Sequence, residues 1–234
     1  MSELPEALTR VVALVGTEAV QRLREKKVVV IGIGAVGGAC AEALARSGIG
    51  TLHVIDGDVF ERSNLNRQPF SAVSVIGHSK AEATVVRLRD IAPDCNVSGE
   101  TLRVESCHAE TILARLAPDA VVDAIDDVDA KVALLTAAVR LGIPVWSAMG
   151  AARKLDPRSL RVADIAQTQV CPLAKAVRKG LREQGIMSGV RSVFSVEIPL
   201  PMEKGESLGS YMPVTACAGF FLAADLLQRL FDNR

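Results

Sequence analysis

The chain has 234 residues, 49% of them hydrophobic, and 27 basic side chains balance 27 acidic ones. So high an apolar share with no net charge excludes a disordered chain, and the length suits one large α/β unit. Aromatics make up only 3%, so the core must come from Ala, Val, Leu and Ile.

Residues 5–24 read as short helices parted by Gly16, with scattered charges and no long apolar run of the secretory kind. Residues 27–31 form a continuous Lys-Val-Val-Val-Ile run, the pattern of a parallel strand covered on both faces. A helix over 36–46, stopped by Gly48 and Gly50, leads to a strand over 51–55. Residues 58–77 make a long polar connection, a length that goes with function. Ser79 is placed to cap a helix over 79–91. Then come a short strand within 96–104, a helix over 108–116, and an apolar strand over 120–125 that ends in Asp126-Asp127. A helix over 130–141 and a strand over 143–147 complete the first 150 residues.

Beyond Gly150, strands over 160–165 and 190–198 flank a helix over 173–184. A Gly/Pro/Ser loop over 199–213 precedes a last helix over 214–230, which carries Asp225 and reads as a core helix rather than a membrane span. The alternation predicts a Rossmann-like, doubly wound, mainly parallel α/β sheet extended by C-terminal strands and helices. It is read as a single unit over 1–234, with a nucleotide-binding core over 1–150 and an extension over 151–234. In such sheets ligands bind beyond the carboxyl ends of the strands. Gly32, Asp56 and Asp126 all fall at such ends.

Gly32, Gly34 and Gly37 form a G-x-G-x-x-G turn between a strand and a helix. Such a turn lets backbone N–H groups approach phosphate at the positive end of a helix. With Asp56 on a ribose, it serves NAD and ATP equally well. Asp58, Asn64, Asn66, Arg67 and Gln68 favour ATP. A hydride-transfer site has no need of an arginine among several amides there, whereas cleavage between the α- and β-phosphates builds charge that a planar guanidinium stabilises. Lys80 offers a second cation, and Asp126 an oxygen ligand for Mg2+ bridging phosphates. Cys40, Cys95, Cys107, Cys171 and Cys217 include no C-x-x-C pair and are odd in number. Neither zinc nor a disulfide framework is expected, and a reducing cytoplasm fits.

These motifs, in this order over residues ~8–150, resemble the ubiquitin-activating type of adenylating enzyme, which includes the activators of ThiS- and MoaD-like sulfur carriers. The resemblance implies that Asp56 binds ribose, that Arg67 and Lys80 bind phosphate, and that Asp126 positions Mg2+. It also implies that Arg10 is a mobile arginine supplied across a homodimer interface. The family's usual arginine three residues earlier is Ala7 here. In the second half, Lys154-Leu155-Asp156-Pro157, Pro172-Leu173-Ala174-Lys175 and Val193-Phe194-Ser195-Val196-Glu197 resemble the tRNA threonylcarbamoyladenosine dehydratases, with Cys171 standing where an acid is expected.

That resemblance implies ATP-dependent cyclisation of a threonylcarbamoyl group beside the anticodon of tRNA, through an acyl-adenylate. It leaves room for a cysteine-desulfurase or sulfur-acceptor partner and implies no membrane. Residues 151–191 carry nine basic against three acidic side chains, which suits contact with tRNA phosphates. Trp146, Phe194 and Tyr211 are the aromatics available for stacking bases. The competing readings are an adenylyltransferase for a ubiquitin-like sulfur carrier, an NAD-dependent oxidoreductase, and a non-catalytic binding module.

Overall fold

The computed structural model describes residues 4–203, 205 and 208–231. Helices α1 (Thr9–Val15) and α2 (Thr17–Arg24) break at Gly16. Strand β1 (Lys27–Ile31) feeds α3 (Ala35–Arg46), and β2 (Thr51–Asp56) is followed at a distance by α4 (Lys80–Ile91). Then come β3 (Asn96–Thr101), α5 (Ala109–Leu116), β4 (Ala120–Asp123), α6 (Val128–Arg140) and β5 (Val145–Ala148). The second half adds β6 (Leu160–Asp164), α7 (Pro172–Glu183), β7 (Val190–Ser195) and α8 (Met212–Phe231).

The seven strands form one sheet in the order β3-β2-β1-β4-β5-β7-β6. Every pairing is parallel except β6 with β7. The extension therefore continues the sheet of the first half, as β7 pairs with β5. Because β1, β4 and β5 lie inside it, most of their residues are apolar on both faces, with Asp123 and Ser147 the buried polar exceptions. One face is covered by α3, α4 and α8, the other by α5, α6 and α7, giving two apolar cores. The run at 27–31 owes its continuous Val/Ile character to this double cover.

Two strands stop two or more residues short of their expected ends. β4 stops at Asp123, before the expected Ile125, because the Asp123 carboxylate turns back to accept the N–H of Ile125 at 3.1 Å. Asp126 thus lies in the loop beyond the strand instead of at its end. β7 stops at Ser195 rather than Ile198, since Ser195 Oγ accepts the N–H of Glu197. β3 ends at Thr101, and Arg103 then crosses close over Gly57. Helix α6 starts two residues early because Asp127 caps it, accepting from Ala130 N at 2.8 Å.

Helix α8 is long and apolar enough to cross a membrane by length and composition, yet it is built into the core. Gly219 brings it against α3 so closely that a Cβ there would lie 2.4 Å from the Val36 carbonyl oxygen. Its Asp225 accepts the indole N–H of Trp146 at 2.8 Å and a two-pronged bond from Arg191 at 2.6 and 3.0 Å. Trp146 sits on β5 and Arg191 on β7, so one carboxylate pins α8 across two strands. Burial opposes the Asp225 charge, but the bonds from Arg191 and Trp146 outweigh it and hold the carboxyl below its usual value of 3.8. A depressed carboxyl stabilises the fold above the unfolded value and loses that contribution as pH falls through the folded one. Asp225→Asn is expected to cost about 2 kcal/mol at neutral pH, and the gap should close below pH ~4 in urea melts. A gap independent of pH would show that the ion pair is not its source.

Candidate nucleotide site

The carboxyl ends of β1, β2 and β4 open into a cavity of about 730 Å³. Its floor is the glycine turn. Gly32 has φ +89°, and a Cβ there would meet the Ala124 carbonyl oxygen at 2.6 Å. A Cβ on Gly37 would lie 1.8 Å from the Gly32 carbonyl oxygen. Both positions need glycine for packing inside the turn. Gly34 differs, because a Cβ there would meet only Gln68 Nε2, at 3.8 Å, so its missing side chain leaves room in the cavity. Helix α3 begins at this point with no side-chain cap, and its first N–H groups remain available to an anion.

Asp56 ties the floor together. Its Oδ2 accepts the N–H of Ile33 at 2.6 Å and its Oδ1 the N–H of Asp58 at 2.8 Å. Arg67 lines the same cavity. Its guanidinium is oriented by bonds to the Ser63 carbonyl and Asn66 Oδ1, both 2.8 Å. Lys80 is buried, at 7% exposure, and pairs with Asp58 at 3.2 Å. Asp58 also faces Arg103 at 3.7 Å. Sequence reasoning missed Arg103, which stands two residues past the end of β3. Gln68 lines the cavity with its Oε1 buried and without a hydrogen-bond partner among the described residues.

The opposite wall is the β4–α6 loop. Asp126 is exposed there, and its carboxylate has no protein partner among the described residues. Beneath it, Asp123 and Lys131 form an ion pair at 2.7 Å with neither side chain exposed. Sequence reasoning missed this pair too. The available signal was a lysine on an otherwise apolar helix face. The extension closes the cavity with residues 150–154 and Cys171. Glu197 holds that segment through the N–H groups of Leu155 and Asp156 at 2.9 and 3.0 Å, and Lys154 donates back to the Glu197 carbonyl. Burial holds the Lys154 pKa below the usual lysine value.

The ThiF family model matches residues 8–234. The tRNA threonylcarbamoyladenosine dehydratase of Bacillus subtilis is 38% identical over 187 residues, covering 80% of this chain and 73% of the relative. Crystal structures of the Escherichia coli tRNA N6-threonylcarbamoyladenosine dehydratase, TcdA, superpose with a TM-score of 0.91. The complex with AMP is 31% identical and covers 100% of this chain and 98% of that one. The complex with ATP is 32% identical, at 99% and 98% coverage. The chain belongs to the ThiF family, in the group of the tRNA threonylcarbamoyladenosine dehydratases.

Of the candidate site residues, the structure brings together Gly32, Gly34, Asp56, Asp58, Arg67, Gln68, Lys80 and Asp126. It leaves others outside the cavity wall. Gly37 acts from beneath, by letting the turn close. The Asn64 side chain is 7% exposed and is used up locally, its Oδ1 accepting the N–H of Glu61 at 3.0 Å. Asn66 Nδ2 bonds the Ser210 carbonyl at 2.9 Å, so it orients Arg67 and anchors the extension. Arg10 is exposed on α1 and does not line the cavity.

Among the nine basic residues of 151–191, Lys154 and Arg191 face inward to Glu197 and Asp225. Lys175, Lys179 and Arg182 are exposed along α7. Trp146 and Phe194 are buried, and only Tyr211 of the three candidate aromatics reaches the surface. All five cysteines are free, and burial pushes the Cys95 thiol up to about 11 and the Cys40 thiol higher still. The glycine geometry yields a paired prediction. Gly37→Ala should lose about 3 kcal/mol of unfolding free energy through overpacking, while Gly34→Ala should stay within ~0.5 kcal/mol of the parent. Equal losses in denaturant titrations would contradict the assigned difference.

Proposed function

We propose that this protein is an ATP-dependent dehydratase that cyclises threonylcarbamoyladenosine in tRNA through an acyl-adenylate. The observation that carries the reading is the convergence of Arg67 and Lys80 on the glycine turn, within one cavity that also presents the unpaired Asp126. The cavity wall carries five cationic side chains, Arg67, Lys80, Arg103, Arg153 and Lys154, against five acidic ones, Asp56, Asp58, Glu105, Asp126 and Asp127. This balance leaves a triphosphate in need of added positive charge. The unpaired Asp126 carboxylate is a hard oxygen donor of the kind Mg2+ prefers, so the residues present fit the metal. Bound there, Mg2+ would neutralise phosphate oxygens as a Lewis acid.

The chain's own residues supply the remaining chemistry. The N–H groups at the start of α3 and the open side of Gly34 receive phosphate. Asp56 faces the ribose. The carboxylate of the threonyl group attacks the α-phosphorus, and pyrophosphate leaves as Arg67 and Lys80 hold the growing negative charge. Lys80 acts strongly because it is largely removed from water. A nitrogen or oxygen of the same substrate then attacks the activated carbonyl carbon, the bond to AMP breaks, and the ring closes. The net change in the nucleoside is loss of one water. Positioning supplies most of the rate, and no enzyme thiol is needed.

Helix α7 begins at the cavity rim with Pro172 and carries Lys175, Lys179 and Arg182 away from it. This row suits the phosphates of a tRNA whose modified base enters the cavity, with binding that weakens steeply with salt. Arg10 reaches the site from a second copy in a homodimer, a reading supported by exposed Leu14 on α1 and by Phe220 and Phe221 on α8. The tRNA and ATP substrates support a cytoplasmic location.

The deciding experiment incubates the protein with threonylcarbamoyladenosine-bearing tRNA, ATP and Mg2+, then weighs the nucleosides. The modified nucleoside should lose the mass of one water, and Arg67→Ala should slow this by about two to three orders of magnitude. An unchanged nucleoside, with pyrophosphate released only when a ubiquitin-like sulfur carrier is added, would overturn the reading.

A further inference from the structure

Asp123 on β4 and Lys131 on α6 are both fully buried, and their charged atoms lie 2.7 Å apart. Burying two charges is costly, and an apolar pair of similar volume often holds a core as well. The two side chains do something an apolar pair could not. Asp123 Oδ1 accepts the N–H of Ile125 at 3.1 Å, and Lys131 Nζ donates to the Ile125 carbonyl at 2.8 Å. That carbonyl belongs to the peptide joining Ile125 to Asp126. Ser147 on β5 fixes the pair from the other side, donating to Asp123 Oδ2 at 2.6 Å.

The same loop abuts the glycine turn. Ala124 N donates to the Ile31 carbonyl at 2.8 Å, and the Ala124 carbonyl fills the space that a side chain on Gly32 would need. We infer that the buried Asp123–Lys131 pair, braced by Ser147, positions the Asp126 carboxylate for the metal–nucleotide complex. Asp123, Lys131 and Ser147 are positioning residues: they grip the backbone on one side of Asp126 and touch no substrate. This rests on the nucleotide reading above and adds the device that aims its metal-binding acid.

The test separates aiming from folding. Lys131→Met leaves Asp123 charged and buried without its cation, so it should lose both stability and function. Asp123→Asn/Lys131→Met removes both charges together and should recover most of the stability. ATP binding is then measured by calorimetry against Mg2+ concentration, with no tRNA present. The double variant should need about tenfold more Mg2+ or above for half-maximal effect, the range seen when groups behind a metal ligand are removed. Its metal-free ATP affinity should stay within ~3-fold of the parent. In turnover with tRNA, kcat should fall about tenfold while the KM for ATP holds.

A stable double variant with parental Mg2+ dependence and parental kcat would overturn the inference. If the double variant does not fold, Ser147→Ala decides: a raised Mg2+ requirement supports the aiming role, and an unchanged one overturns it. A parent protein that binds ATP without regard to Mg2+ would sink the metal–nucleotide reading itself, and this inference with it.

Discussion

The bond from the Ile33 N–H to the Asp56 carboxylate, 2.6 Å long, is the contact on which the site depends. It draws the end of β2 onto the turn that follows β1. The turn can close that tightly only because Gly32 and Gly37 lack side chains, and because the Ala124 carbonyl occupies the space thereby freed. Three strand ends are therefore packed backbone against backbone. The first turn of α3 is left without a side-chain cap, and its N–H groups stay available to an anion.

Around that junction the charges are divided between aimed and spent. Arg67 is aimed by Ser63 and Asn66, and Lys80 is aimed by Asp58. The Asn64 amide is spent on the turn that carries Arg67, so its contribution to the site is geometric. The second half of the chain supplies the far wall through Glu197 and the last apolar helix through Asp225. Neither could be held without the shared sheet, in which β7 lies beside β5. The first half thus brings most of the groups suited to phosphate, and the second half encloses them.

Much of this could be read from the amino-acid order. Continuous Val/Ile runs mark strands covered on both faces, and the glycine spacing marks the turn, since both follow from local chain geometry. The convergence of Arg67 and Lys80 on the cavity of the glycine turn was legible because both follow a strand-end acid. The inward direction of Asn64 was not legible: an amide in a polar loop can serve a ligand or a turn, and only the tertiary path chooses. Nor was the pairing of Asp123 with Lys131, which depends on how α6 lies over β4. The early end of β4 had the same origin: Asp123, one polar residue in an otherwise apolar run, turns its carboxylate onto the N–H of Ile125. The basic count of the extension overstated its free surface, because Lys154 and Arg191 are turned to interior partners.

Activation of the substrate carboxylate by attack on the α-phosphorus is the central chemical claim, and an isotope can follow it directly. The threonyl carboxylate of the tRNA nucleoside is labelled with heavy oxygen, and the products of a single turnover with unlabelled ATP are separated and weighed. Adenylation predicts one labelled oxygen in AMP and none in pyrophosphate, since the carboxylate oxygen bonded to phosphorus leaves with AMP when the ring closes. Label appearing in inorganic phosphate, with AMP unlabelled, would contradict the claim and place the chemistry at a different phosphorus.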